Sequence, residues 1–336
     1  MNNNLVLEVK SLKKYFPIKT GFWKKTTGYV KAVDDINLKV YEGQTLGLVG
    51  ESGCGKTTLG KCILKAIEPT SGSIVFNIGG NLVDVASMDE KELRPIRKNM
   101  QMIFQDPYSS LDPRMTILDI IGEPLIVNKI AKGTELVDRV KELMEIVGLD
   151  SRYLKRNPHA FSGGQRQRIG IARALATNPK FIVCDEAVSA LDVSVRSQIL
   201  NLLLDLQERF KISYLFISHD LSVIHHVSHW VAVMYVGKIV EMAKTEQLFK
   251  NPKHPYTEAL LSAIPKPDPR SKIRRIILTG EVANPANPPE GCYFHPRCRF
   301  AQDICHKEAP AWREIEENHY VACHFAEQLT LQGVEM

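Results

Sequence analysis

Short apolar runs alternate along the chain with longer amphipathic stretches. TLGLVG (45–50) follows a turn at Glu42 and Gly43, and SIVFN (73–77), MQMIF (100–104), FIVCDE (181–186) and SYLFISHD (213–220) share its form. Each is a brief apolar segment of the kind that makes a strand buried on both faces. Between them, KTTLGKCILKAI (56–67), TELVDRVKELMEIV (134–147) and VRSQILNLLLDLQERF (195–210) repeat apolar residues at helical spacing. This alternation predicts an α/β core with a mainly parallel sheet. From Gln105 to roughly Arg173 strand signals vanish and helical ones dominate, which predicts an inserted helical subdomain over about 106–173. HWVAVMYVGKIVEM (229–242) reads as a hairpin. Beyond it the periodicity dissolves: ten of the 18 prolines fall between Pro252 and Pro310, and because proline removes donors and breaks periodic structure, the C-terminal part is expected to be an irregular appendage.

Composition adds constraints. At 336 residues, 44% apolar and 24% charged, the chain can bury a large core and is neither disordered nor fibrous. The net charge of +5 is small and spread out, without the dense basic stripe that a nucleic-acid partner would need. The opening MNNNLVLEVKSLKKYF lacks the charged and apolar regions of a secretion signal, and no uncharged apolar run reaches the length of a membrane span. The chain therefore reads as soluble and cytosolic, where disulfides are not expected for its seven cysteines.

Three segments carry recognisable chemistry. Gly50, Glu51, Ser52, Gly53, Cys54, Gly55, Lys56 and Thr57, followed by Thr58, fit G-x-x-x-x-G-K-[ST] at a strand-to-helix junction. Such a loop turns backbone N–H groups and a helix N-terminus toward phosphates, while Lys56 neutralises the β/γ oxygens and the Thr57 hydroxyl reaches Mg²⁺. FIVCDE ends in Asp185, suited to holding Mg²⁺ through its shell, and Glu186, suited to polarising the attacking water. FSGGQRQR (161–168) begins a helix with Ser162 as N-cap, and Gly163, Gly164 and Gln165 leave N–H groups uncovered. One phosphate loop does not need this second anion site for its own nucleotide, so it is expected to serve an ATP held by another subunit.

With these segments the chain resembles an ATP-binding cassette ATPase of a transporter; SALD (189–192), SHD (218–220) and Gln105 in MIFQDP extend the match. The resemblance implies that Gln105 contacts Mg²⁺ and couples to a membrane domain, that Asp192 bridges two subunits, and that His219 touches the γ-phosphate beside Glu186. An aromatic residue is expected to stack on adenine upstream of the loop, where LKKYFP offers Tyr15 and Phe16, with Phe16 preferred by position.

Within that family the long insert PIKTGFWKKTTGYV before KAVDDI, GESGCGKTTLG, FQDPYSSLDPRM, DEAVSALDVSV and HPYTEALLSAIP resemble the dipeptide/oligopeptide importer ATPases, the Dpp/Opp group, over nearly the whole chain. DEA stands where DEP is commoner and keeps both carboxylates.

Cys292, Cys298, Cys305 and Cys323 are spaced C-x5-C-x6-C-x17-C, unlike the paired C-x2-C knuckles of most structural zinc sites. The resemblance implies that they hold a 4Fe-4S cluster. Zinc is the alternative, sustained by His295, His306, His319 and His324, and unliganded packing is the third reading. A cluster would cross-link a segment poor in apolar periodicity.

The expected fold is a P-loop NTPase core with an N-terminal antiparallel β subdomain, the inserted helical subdomain and the cysteine-rich extension. Residues 1–260 form the nucleotide-binding domain and 261–336 the extension, which the core is expected not to need for binding ATP. The expected function is ATP hydrolysis for an importer of dipeptides or oligopeptides, on the cytoplasmic face of the cell membrane. The expected partners are a second, paralogous or identical cassette, two membrane permease subunits and, indirectly, an extracytoplasmic substrate-binding protein, with no nucleic acid. A nickel importer of the same group and a soluble, non-transport cassette ATPase are the alternatives.

Overall fold

The computed structural model describes residues 4–21, 25–106, 108–265 and 275–334. Pro107 of FQDPYSSLDPRM and residues 22–24 of the insert before KAVDDI lie outside them. The chain divides into two compact units: Met1–Leu7, Val40–Gln44 and Phe76–Ile217 make the first, and Glu8–Lys39, Thr45–Val75 and Ser218–Met336 the second.

In the first unit three parallel strands, Met100–Ile103, Phe181–Asp185 and Ser213–Ile217, pair in that order, Met100 opposite Phe181 and Phe181 opposite Ser213. Every residue of the two latter strands is buried, as strands covered on both faces require. The helices Ile117–Val127, Gly133–Ile146 and Gly163–Leu175 pack on one another. Ile117, Ile120, Ile121 and Leu125 form the buried stripe of the first of them. Thr116 and Asp119 close its N-terminus as a reciprocal capping box.

In the second unit Thr45–Val49 runs parallel to Trp230–Tyr235, which turns back antiparallel into Lys238–Lys244. The strands Lys25–Tyr41, Leu5–Thr20 and Ser71–Ile78 neighbour one another in that order and belong for most of their length to this unit, supplying its N-terminal antiparallel sheet.

The appendage is more regular than its proline content predicts. Its strand His319–Val321 pairs antiparallel with Lys238–Lys244, setting Glu241 opposite Val321 and Ala243 opposite His319, and Arg313–Glu316 adds a further strand outside it. Glu241 is fully buried there. Its carboxylate accepts the N–H groups of Lys253 (2.7 Å) and His254 (3.0 Å) and lies 2.7 Å from Nε2 of the equally buried His319. A buried carboxylate satisfied on both oxygens is tolerated, and it ties the appendage to the core where apolar periodicity is absent.

Candidate functional site

Gly50–Thr58 connects the strand Thr45–Val49 to the helix Lys56–Ile63. Gly55 caps that helix at φ +111°, and a Cβ there would meet the Ala32 carbonyl oxygen at 2.0 Å, so only glycine fits. Lys56 is buried, and its Nζ donates to the carbonyls of Gly50 (2.7 Å) and Glu51 (2.9 Å), which curls the loop around the ammonium group. Cys54 is buried next to it, and burial pushes its thiol above the usual range against the pull of Lys56. Thr57 is exposed and Thr58 half-buried on the first turn.

Two further sequence-predicted residues lie in the same unit. Phe16 is half-buried on the strand Leu5–Thr20 with the Lys14 ammonium 4.9 Å from its ring centre, whereas Tyr15 donates its hydroxyl to Asp34. His219 is exposed between buried Ser218 and Asp220, whose carboxylate caps the helix Leu221–Val227 by accepting the N–H groups of Ser222 and Val223.

The first unit carries the carboxylates. Asp185 is buried as the last residue of its strand, and Glu186 follows at φ +48°, a left-handed conformation that a non-glycine side chain holds only when its surroundings fix it. They do so here: its N–H donates to the Ile217 carbonyl (3.0 Å), and its own carbonyl accepts the N–H (3.1 Å) and hydroxyl (3.0 Å) of Ser189. Gln105, exposed, donates Nε2 to Glu186 Oε2 at 2.7 Å, so the structure brings these two predicted residues together. Asp192, also exposed, precedes the helix Val193–Phe210.

Ser162 and Gln165 form a complete capping box. The Ser162 hydroxyl accepts the Gln165 N–H (3.3 Å), and Gln165 Oε1 accepts the Ser162 N–H (3.1 Å). At Gly164 a Cβ would lie 2.4 Å from a methyl of Val195, so a larger residue fits only if that side chain gives way. The helix Gly163–Leu175 also holds the segment after Gln105. The Arg166 guanidinium stacks 4.0 Å from the Tyr108 ring centre, and Arg173 donates to the Ser110 carbonyl at 2.7 Å.

A family model described as "ABC transporter" matches residues 33–189, and one described as "Oligopeptide/dipeptide transporter, C-terminal region" matches residues 240–305. The oligopeptide transport ATP-binding protein AppF of Bacillus subtilis (strain 168) is 49% identical over 326 residues, 96% of this chain and 98% of that protein. This chain belongs to the ABC transporter ATP-binding proteins. The dipeptide transport ATP-binding protein DppF of Haemophilus influenzae, another member of the family, is 48% identical over 96% of this chain and 97% of its own length. A solved dimeric structure of the ATP-binding cassette MJ0796, in a post-hydrolysis state bound to ADP and Pi, is 29% identical with a TM-score of 0.62, covering 71% of this chain and 98% of that one. The cassette is an ATPase with the P-loop NTPase fold. Among its described residues, no helix is long and apolar enough to cross a membrane.

All seven cysteines of the cassette are free thiols. Burial pushes Cys292, Cys298 and Cys323 up to about 11. The four C-terminal thiols are also mutual neighbours. After burial, Cys305 and Cys298 add to the rise at Cys292, Cys323 and Cys305 to that at Cys298, and Cys292 and Cys305 to that at Cys323, which puts the four thiols in one neighbourhood. Among the described residues, no three or more His, Cys, Asp or Glu side chains are grouped to hold a metal ion.

Sequence reasoning missed the residues that brace the phosphate loop from the appendage. Tyr256 accepts the Glu51 N–H on its hydroxyl (2.8 Å), and Arg297 grips the Glu51 carboxylate. Only their positions inside HPYTEALLSAIP and beside Cys298 were visible as signals.

Proposed function

We propose that this chain is the ATP-hydrolysing subunit of an importer for dipeptides or oligopeptides, working at the cytoplasmic face of the cell membrane with two permease subunits and an extracytoplasmic binding protein. The observation that carries this reading is one chain in which an intact phosphate loop precedes a C-terminal region matching that of oligopeptide/dipeptide transporters. The names of relatives such as AppF and DppF support peptide cargo over nickel and over a soluble, non-transport role. Residues 1–260 act as the nucleotide-binding domain, with 106–173 as its helical insert, and 261–336 as the extension.

In this reading ATP lies on Gly50–Thr58. Its phosphates replace the loop carbonyls now bound to Lys56, and Phe16 stacks on adenine, which is supported by the engagement of Tyr15 with Asp34. Thr57, Gln105 and Asp185 would hold Mg²⁺, which would supply charge neutralisation to the phosphates. Glu186 accepts the proton of the attacking water through the carboxylate that Gln105 now holds, and His219 donates to the γ-phosphate. Ser162, Gly163, Gly164 and Gln165 face the ATP of a second cassette, Asp192 lies at the contact between the two, and a paralogous partner is favoured. Binding closes the pair, and hydrolysis reopens it.

The cysteine quartet fits a 4Fe-4S cluster. A cubane takes one thiolate per iron, and this segment offers four thiols in one neighbourhood. The cluster would supply a covalent knot for the appendage. Anaerobically purified protein is expected to be brown with about four irons per chain. One zinc and no iron, by metal analysis, overturns the cluster in favour of zinc, and the absence of both returns the thiols to packing.

Cargo is tested in cells. A strain lacking this chain is expected to lose uptake of a radiolabelled peptide while nickel uptake persists, with recovery on re-expression. Loss of nickel uptake alone would move the assignment to the nickel importers.

A further inference from the structure

The turn between Cys292 and Cys298 sends three side chains toward the nucleotide loop and its surroundings. Arg297, last residue of the short helix His295–Arg297, places Nη1 2.7 Å from Glu51 Oε2 and Nη2 3.0 Å from Glu51 Oε1. This is the two-pronged geometry in which guanidinium–carboxylate pairs are strongest. The pair is well shielded, with the Arg297 side chain 7% exposed and that of Glu51 27%. Phe294 seats the turn by packing between Tyr235 and Tyr256, whose ring centres lie 5.3 and 5.4 Å from its own. Tyr293 donates to Asp34 at 3.2 Å, on the oxygen not used by Tyr15.

Glu51 creates a problem that Arg297 solves. The second residue of a phosphate loop carries a carboxylate, which would repel a polyanion arriving on the neighbouring N–H groups. We propose that Arg297 is the counter-ion of Glu51, a positioning residue supplied by the cysteine-rich appendage that neutralises this carboxylate, turns it from the phosphates and so makes the loop receptive to ATP. This deepens the function proposed above and rests on reading Gly50–Thr58 as the ATP loop. It also revises the expectation that ATP binding is independent of the extension.

The test measures binding of a fluorescent ATP analogue to the full chain. Arg297→Ala is expected to weaken binding about tenfold, more for the triphosphate than for the diphosphate, because the uncompensated carboxylate repels each added charge. Adding Glu51→Gln to Arg297→Ala is expected to restore most of the affinity, so that removing the guanidinium costs little once Glu51 is neutral, and Arg297→Lys to retain most binding. Parental affinity in Arg297→Ala overturns the proposal. So does a double variant as weak as Arg297→Ala, since a merely structural arginine would not be rescued by removing the charge it faces. If Arg297→Ala does not fold, Arg297→Gln, which keeps bulk and removes the charge, and its pairing with Glu51→Gln carry the same comparison, and parental affinity of Arg297→Gln for both nucleotides sinks it. Lys56→Ala separates the two readings. If it binds like the parent, the loop assignment itself fails, whereas loss of binding there with no effect at Arg297 refutes only the counter-ion.

Discussion

Replacing Glu186 by Gln is expected to lower ATP turnover at least about a hundredfold while ATP still binds, the range by which a positioned general base accelerates proton transfer. The geometry makes the two effects separable. Glu186 is locked by its N–H to Ile217 and its carbonyl to Ser189, so the backbone conformation does not depend on the carboxylate. Its side chain meets Gln105 at 2.7 Å, and an amide can hold that hydrogen bond through its own carbonyl oxygen. What the amide cannot do is take a proton from water. ATP is therefore expected to accumulate in closed pairs, seen as a slowly dissociating dimer by size-exclusion chromatography with retained nucleotide. Parental hydrolysis by the purified variant, assayed with its partner subunits, would remove Glu186 from the role of base.

The parts of this site that were legible in the sequence are those whose physics is local. The strand Phe181–Asp185 is apolar up to its last residue because both faces are covered, and a run of that kind ending in two carboxylates marks a sheet edge without any knowledge of neighbours. Ser162 and Gln165 stand three apart, the spacing of the capping box that the structure shows. The phosphate loop is likewise fixed by a short motif, and the close approach of Gly55 to Ala32 gives the reason for its glycine.

What was not legible depends on partners far apart in sequence. Arg297 and Glu51 are 246 residues apart, and neither neighbourhood holds a pattern announcing the other. The strand His319–Val321 is three residues long, too short to display a period, and it owes its place to the buried contact of His319 with Glu241. Proline content misled where Arg313–Glu316 and His319–Val321 form strands, because a sheet edge can recruit a polar segment when one buried carboxylate satisfies the chain that crosses it. Tyr15 and Phe16, adjacent on one strand, were told apart only by position in the sequence, while the structure gives Tyr15 a partner of its own in Asp34.

Replacing Ser162 by Arg is expected to abolish turnover in the assembled pair, by about a hundredfold or more, while the isolated chain keeps its own ATP affinity. Two consequences of the substitution have different sizes and can be read separately. The first is local: the hydroxyl that accepts the Gln165 N–H at 3.3 Å is lost, which costs about 1 kcal/mol of helix stability. Ser162→Ala removes the same cap without adding bulk or charge, so its shift in melting temperature calibrates this part. The second acts across the interface, because a long cation replaces a small exposed hydroxyl at the helix end proposed to face the partner's γ-phosphate. It blocks close approach of the two cassettes, and no loss of that kind follows from a weakened cap alone. Turnover should therefore collapse in Ser162→Arg beyond what Ser162→Ala shows, with nucleotide binding by the partner-free chain unchanged in both. If ATP affinity of the isolated chain falls as far as the turnover of the pair, the signature acts on its own chain's nucleotide, and the two-cassette sandwich fails for this protein.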